Sequence, residues 1–259
     1  MAGEPPKSVD RAKDTPDFCQ TDPDGHFPDS GGDFCGPVAV ANSLMYFAKT
    51  GFPKLRPTAA TDKAAQIEMI NRLAAADFMN TAERDGTSPP RLMAGVQKFV
   101  EQSGYQTVRL EQQGWKETTK QFPSKVDIPS LDWIKEGLSV KGGTVWLNVG
   151  WYKINAETSH YQRLGGHWVT LVGYGKDRSD RADPLTLLIH DPAPRTGRDP
   201  LTQCVKLSAL DSGFLQRSTS QGQVRRREAR GYYELKGEMK LKSGADTAIL
   251  DAAVVLVIQ

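Results

Sequence analysis

Cys35, His167 and Asp191 are the three residues whose types and settings could together perform acyl chemistry. Cys35 stands directly before Gly36-Pro37, and Val38, Ala41, Met45 and Ala48 then recur at helical spacing. Gly36 and Pro37 fit a turn into a first helical position, where the missing proline N–H costs nothing. A thiol at such a helix start is exposed to the positive end of the dipole, which favours thiolate, the nucleophilic form. The same residue also reads as a buried, inert cysteine, a common fate of free thiols.

His167 and Asp191 must be delivered by strands. Leu164–Gly175 and Leu185–Pro194 are rich in β-branched and aliphatic residues and bounded by Gly or Pro, which predicts two strands. Paired as a hairpin, they bring His167 at the start of one beside Asp191 at the end of the other. A base oriented by a carboxylate is what a cysteine nucleophile needs. Asp191 also fits a plain turn aspartate before Pro192. The charged stretch Lys176–Pro184 between them reads as an exposed turn, without the glycine and terminal glutamate of a calcium loop.

Cys-Gly-Pro at a helix start, Gly-His-Trp-Val opening a strand and Asp-Pro closing the next resemble the papain-like cysteine peptidases. The closer likeness is to the branch of bacteriocin-processing (C39-like) peptidases, over about Gln20 to Asp191. The resemblance implies an α+β fold, a helical side packed against a mainly antiparallel sheet. It also implies Cys35 as nucleophile, His167 as general base and acid, and Asp191 as its orienter. The family's oxyanion glutamine would fall at Asp29; the nearest upstream glutamine is Gln20, so Gln20 is assigned to the oxyanion hole with the turn-rich Thr21–Gly32 looped out. Gln20 equally suits a surface loop. The implied activity is peptide-bond hydrolysis through a thioester acyl-enzyme, with a peptide or protein substrate and no cofactor. The same triad could pass the acyl group to an amine or thiol acceptor, and the displaced glutamine leaves open a peptide-binding module without catalysis. Analogy with related bacterial peptidases points to an exported protein whose signal is absent here; otherwise it would be cytoplasmic.

Composition bounds these readings. The chain has 259 residues and a formal net charge of +2, which offers no electrostatic case for nucleic acid or an anionic membrane surface. No run is long enough to span a bilayer as a helix. Residues 1–17, rich in Pro, Lys and Asp, read as a flexible lead-in, and 18–259 as one catalytic domain. Cys19 and Cys204 are either ordinary thiols or a disulfide pair, and no Cys or His spacing matches a structural zinc site.

The remaining elements read as scaffold. Helices are expected within Pro57–Met79, from Pro89 to about Ser103, and over Leu131–Val140. Strands are expected at Tyr105–Glu111, Thr144–Gly150, Gly231–Gly237 and Ala252–Ile258, the last central and buried on both faces. Turns are expected at Glu83–Ser88 and Arg195–Pro200, a loop at Lys153–Leu164, and an irregular, basic, solvated stretch at Ser208–Arg230. Gly166 and Trp168 beside the histidine, with Trp151, Tyr152, His160, Tyr161 and Arg163, could line a substrate groove, although the aromatics serve equally as packing. His190 alternates to the face opposite Asp191 and stays outside the triad; His26 and His160 read as surface residues.

Overall fold

In the computed structural model, residues 5–81, 86–116, 118–124, 126–194, 201–218 and 222–259 are described. The first residues of the expected turn at 83–85 and the expected loop at 195–200 lie outside them.

Helix α1 (Cys35–Lys49) is the element against which the others pack. Twelve of its fifteen residues are buried, so it is a central helix with no wide polar face. Its buried polar side chains tie it to neighbouring segments. Asn42 Oδ1 accepts from the Phe18 amide at 3.2 Å and from Gln66 Nε2 at 2.6 Å. Gln66 belongs to α2 (Asp62–Ala74), which Thr61 caps by accepting the Ala64 amide at 3.1 Å. α3 (Pro89–Gln102) completes the helical side, and α4 (Leu131–Ser139) packs elsewhere on the sheet.

Among the described residues, ten strands form the sheet: β1 (Val9–Asp10), β2 (Thr107–Gly114), β3 (Gly143–Asn155), β4 (His160–Lys176), β5 (Ala182–His190), β6 (Thr202–Ala209), β7 (Phe214–Ser218), β8 (Val224–Glu228), β9 (Tyr233–Gly237) and β10 (Thr247–Ile258). Pairing is antiparallel except for β4 with β7. Strands β3, β4, β5, β6, β9 and β10 pair in a ring, closed at Ile249 opposite Glu234. The chain is therefore α+β, with one mostly antiparallel sheet and helices α1–α3 gathered on one side.

Three apolar clusters hold this arrangement. One joins α1, α2 and α3 to Trp146, Trp168, Val254 and Leu256 of the sheet. A second joins residues of the ring, such as Leu147, Leu171, Ile189 and Leu207, to Ile134 and Leu138 of α4. A smaller one holds Trp115, Tyr152, Leu215 and Tyr232. β10 is buried almost throughout, as its apolar run requires.

Several expectations change. The Lys153–Leu164 loop is instead the end of β3, a short turn and the start of β4, so His167 lies within a long strand and not at its beginning. The irregular stretch at 208–230 contains the β7–β8 hairpin, and β6 precedes it. Tyr161 pairs with Leu215 across that junction, a contact invisible locally. The lead-in is docked from Pro5 onward. Val9 and Asp10 pair with Tyr174 and Gly173, the Tyr174 hydroxyl donates to the Pro6 carbonyl at 3.0 Å, and Arg11 Nη1 donates to the Gly143 carbonyl at 2.8 Å. Among the described residues, no helix is long and apolar enough to cross a membrane.

Candidate active site

Cys35 is the first residue of α1, and the helix axis is tied to the strands that carry His167. Thr170 Oγ1, three residues after His167, donates to the Ala39 carbonyl at 2.8 Å. Trp146 Nε1 reaches the same carbonyl and Ser43 Oγ, each at 3.1 Å, and Thr144 Oγ1 bonds Ser43 Oγ at 2.8 Å. These buried bonds set the register between the nucleophile helix and β3–β4. Gly36 is required beside Cys35 because a Cβ there would sit 2.9 Å from the Thr87 side chain.

The sheet delivers the other two groups as the hairpin reading anticipates. Thr170 pairs with His190 in the β4–β5 ladder, so the residue after β5, Asp191, lies beside His167. His167 Nε2 and Asp191 Oδ1 are 2.6 Å apart, and both side chains are buried. Asp191 Oδ1 also accepts the Ala193 amide at 2.8 Å, so the turn role and the orienting role coincide. Nε2 is taken by Asp191, which leaves Nδ1 as the ring nitrogen for the Cys35 thiol, and Cys35 and His167 line the same cleft. Trp151 stacks on the imidazole, with centroids 5.8 Å apart and planes inclined by 25°.

Burial works most strongly against the imidazolium. The charge and hydrogen bond of Asp191, followed by the hydrogen bond and charge of Cys35, overcome it and raise His167 from 6.5 to about 10. The ring therefore holds its proton at neutral pH, next to the sulfur.

A cleft of about 300 Å³ opens over this pair. The Gly86–Pro89 segment and Arg91 form one wall, and Asn148, Arg163, Gly166 and Trp168 contribute to the other. Trp168 Nε1 donates to the Thr87 carbonyl at 2.8 Å and so joins the two walls. Gly166 and Trp168 thus stand where the sequence reading puts them. Trp151 and Tyr152 do not. Trp151 is buried behind His167, and Tyr152 is fully buried with its hydroxyl 2.5 Å from Asp251 Oδ1. The two side chains belong to different apolar clusters, so both faces of β3 are covered here.

Gln20 is buried near the site, with its amide donating to the Pro192 carbonyl at 2.9 Å. Its Nε2 donates to the carbonyls of Gly31 at 2.9 Å and Gly32 at 2.7 Å. In this state the side chain closes the Thr21–Gly32 insertion and does not line the cleft. His190 bonds Pro16 O and Thr202 Oγ1, each at 3.1 Å, outside the triad. It borders a larger cavity, about 820 Å³, shared with Cys19 and the docked lead-in but remote in lining from Cys35 and His167. All three cysteines are free thiols.

Sequence reasoning missed Asn148, Asp251, Arg91 and Lys116. Asn148 sits opposite Trp168 and its Nδ2 lies 3.5 Å from the His167 carbonyl. A polar residue at an inward position of an otherwise apolar strand was its one available signal, as was Asp251 within the β10 run. No family model and no curated protein matches this chain.

Proposed function

We propose that the chain is a cysteine peptidase of papain-like design, in which Cys35, His167 and Asp191 hydrolyse a peptide bond. The observation that carries the reading is the buried 2.6 Å His167–Asp191 bond on a ring that shares its cleft with a helix-start cysteine. A nucleophile, a base and an orienter in this sequence of contacts is the arrangement of nucleophilic acyl transfer. A helical side bearing the nucleophile against a sheet bearing the base supports the papain-like assignment.

The chemistry runs in two halves. The Cys35 thiolate attacks the scissile carbonyl, forming a C–S bond. The amide of Cys35, which as the first helical residue has no intrahelical acceptor, donates to the oxyanion. Gln20 adds a second donor by exchanging its bond to the carbonyl of Gly32, a residue on the cleft rim. The C–N bond breaks as His167 passes its proton to the leaving amine. Water then attacks the thioester, gives a proton to His167 and releases the carboxylic acid and the thiolate.

The test is the iodoacetamide alkylation rate of each cysteine across pH, in the native protein and in His167→Ala. Cys35 is expected to react below neutral pH faster than Cys19 or Cys204, and to slow in the variant. Equal rates for all three thiols would overturn the reading.

A further inference from the structure

Arg163 is held at the cleft in a manner that balancing a buried acid does not require. It lies on β4 opposite Tyr152, with 14% of its side chain exposed, and it lines the cleft. Its Nε donates to Asp251 Oδ2 at 2.6 Å. Asp251 is fully buried, and its other oxygen accepts Trp115 Nε1 at 3.0 Å and the Tyr152 hydroxyl at 2.5 Å. Three donors thus fix the carboxylate, and the carboxylate fixes the guanidinium by one edge. The far end reaches Gly166, the residue before His167: a Cβ at Gly166 would lie 2.2 Å from Arg163 Nη2. Glycine at 166 therefore leaves room for a guanidinium end at the floor of the cleft.

Two further features of the same cavity matter. Asn148, 4% exposed, lines it and has its Oδ1 without a hydrogen-bond partner among the described residues. Arg91, by contrast, is bonded to the Asn80 and Gly86 carbonyls, each at 2.8 Å, and serves to hold the opposite wall. Asp33 is the one acid among the described lining residues, against Arg91, Lys116 and Arg163.

We infer that this cleft selects a carboxylate on its substrate: Arg163 binds an acidic side chain or a C-terminal carboxylate beside the scissile carbonyl, while Asn148 Oδ1 accepts a substrate N–H. A planar guanidinium anchored through Nε presents its remaining donors to an acid in the paired geometry that makes Arg–carboxylate contacts strong. The restricted access to water strengthens that contact. The small volume admits one or two residues of a peptide.

The inference rests on the peptidase reading, and its test does not need turnover. The Cys35→Ala protein is incubated with an equimolar mixture of short peptides carrying Asp, Glu, Asn or Gln at each position, with free or amidated C-termini, and the retained peptides are read by mass spectrometry. Acidic peptides are expected to be enriched about tenfold or more over their amide counterparts. Loss of enrichment on C-terminal amidation assigns the end carboxylate; its persistence assigns the side chain. Because Arg163→Gln alone leaves Asp251 uncompensated, the comparison is the double variant Arg163→Gln/Asp251→Asn, which removes both charges. The enrichment is expected to vanish there. No acidic preference in the Cys35→Ala protein, or an unchanged preference in the double variant, overturns the inference. Hydrolysis by the native chain without acidic preference would sink it while leaving the peptidase reading intact.

Discussion

At the scale of single residues, the site is governed by how a buried histidine keeps its proton. Desolvation alone would strip it; Asp191 and Cys35 reverse that outcome. The sign of the linkage follows. A folded value raised from 6.5 to about 10 means the stabilising contribution of His167 is complete below about pH 6.5 and is lost as pH rises towards 10. The stability difference between the native protein and His167→Gln, from urea unfolding, should shrink across that window. The ring should titrate near 10 by NMR, and lower in Asp191→Asn, which removes the stronger of the two contributions that hold the proton. A native midpoint below 6.5, unchanged in Asp191→Asn, would show that the carboxylate does not act on the ring.

The turn between Gln20 and Cys35 matters at the scale of elements, because it decides where α1 begins. Gly31 has φ +77, and a Cβ there would fall 1.7 Å from the Gln20 carbonyl oxygen. Gly32 is right-handed (φ −50), and its nearest neighbour to an added Cβ is 3.5 Å away. Gly31→Ala is therefore expected to cost more than about 2 kcal/mol in urea unfolding and to slow Cys35 alkylation. Gly32→Ala should change stability by no more than about 0.5 kcal/mol. Equal effects of the two would mean that the turn is not tied to Gln20.

The whole molecule depends on a sheet that closes on itself and on a lead-in that covers part of it. Gly173 admits the chain at Val9, whose carbonyl would be 2.6 Å from an added Cβ, with Leu188 Cδ1 at 3.0 Å. Gly173→Ala should displace β1 and speed tryptic cleavage after Arg11 and Lys13, with the bonds from Arg11 to Val172 and Gly143 lost together. An unchanged cleavage rate would show that the segment is held by other contacts.

Much of the site was legible because its parts carry strong local signals. A cysteine before Gly-Pro and Asp-Pro after an aliphatic run each mark an element boundary, and two aliphatic, β-branched runs around the histidine and before the aspartate suggest the pairing that joins them. The α+β class came with the family resemblance, and the buried last strand from its nearly unbroken apolar run. The rest was decided in three dimensions. β4 extends back to His160 because β3 and β7 supply partners for residues with weak strand preference of their own. Trp151 and Tyr152 are both buried because two separate clusters, built from distant parts of the chain, cover both faces of β3 there. Asp251 is tolerated in an apolar strand only because Trp115, Tyr152 and Arg163, from distant parts of the chain, converge on its two oxygens. Local sequence determined which groups could do chemistry; long-range pairing decided which of them meet, since hydrogen-bond satisfaction of a buried charge is a property of the assembled fold.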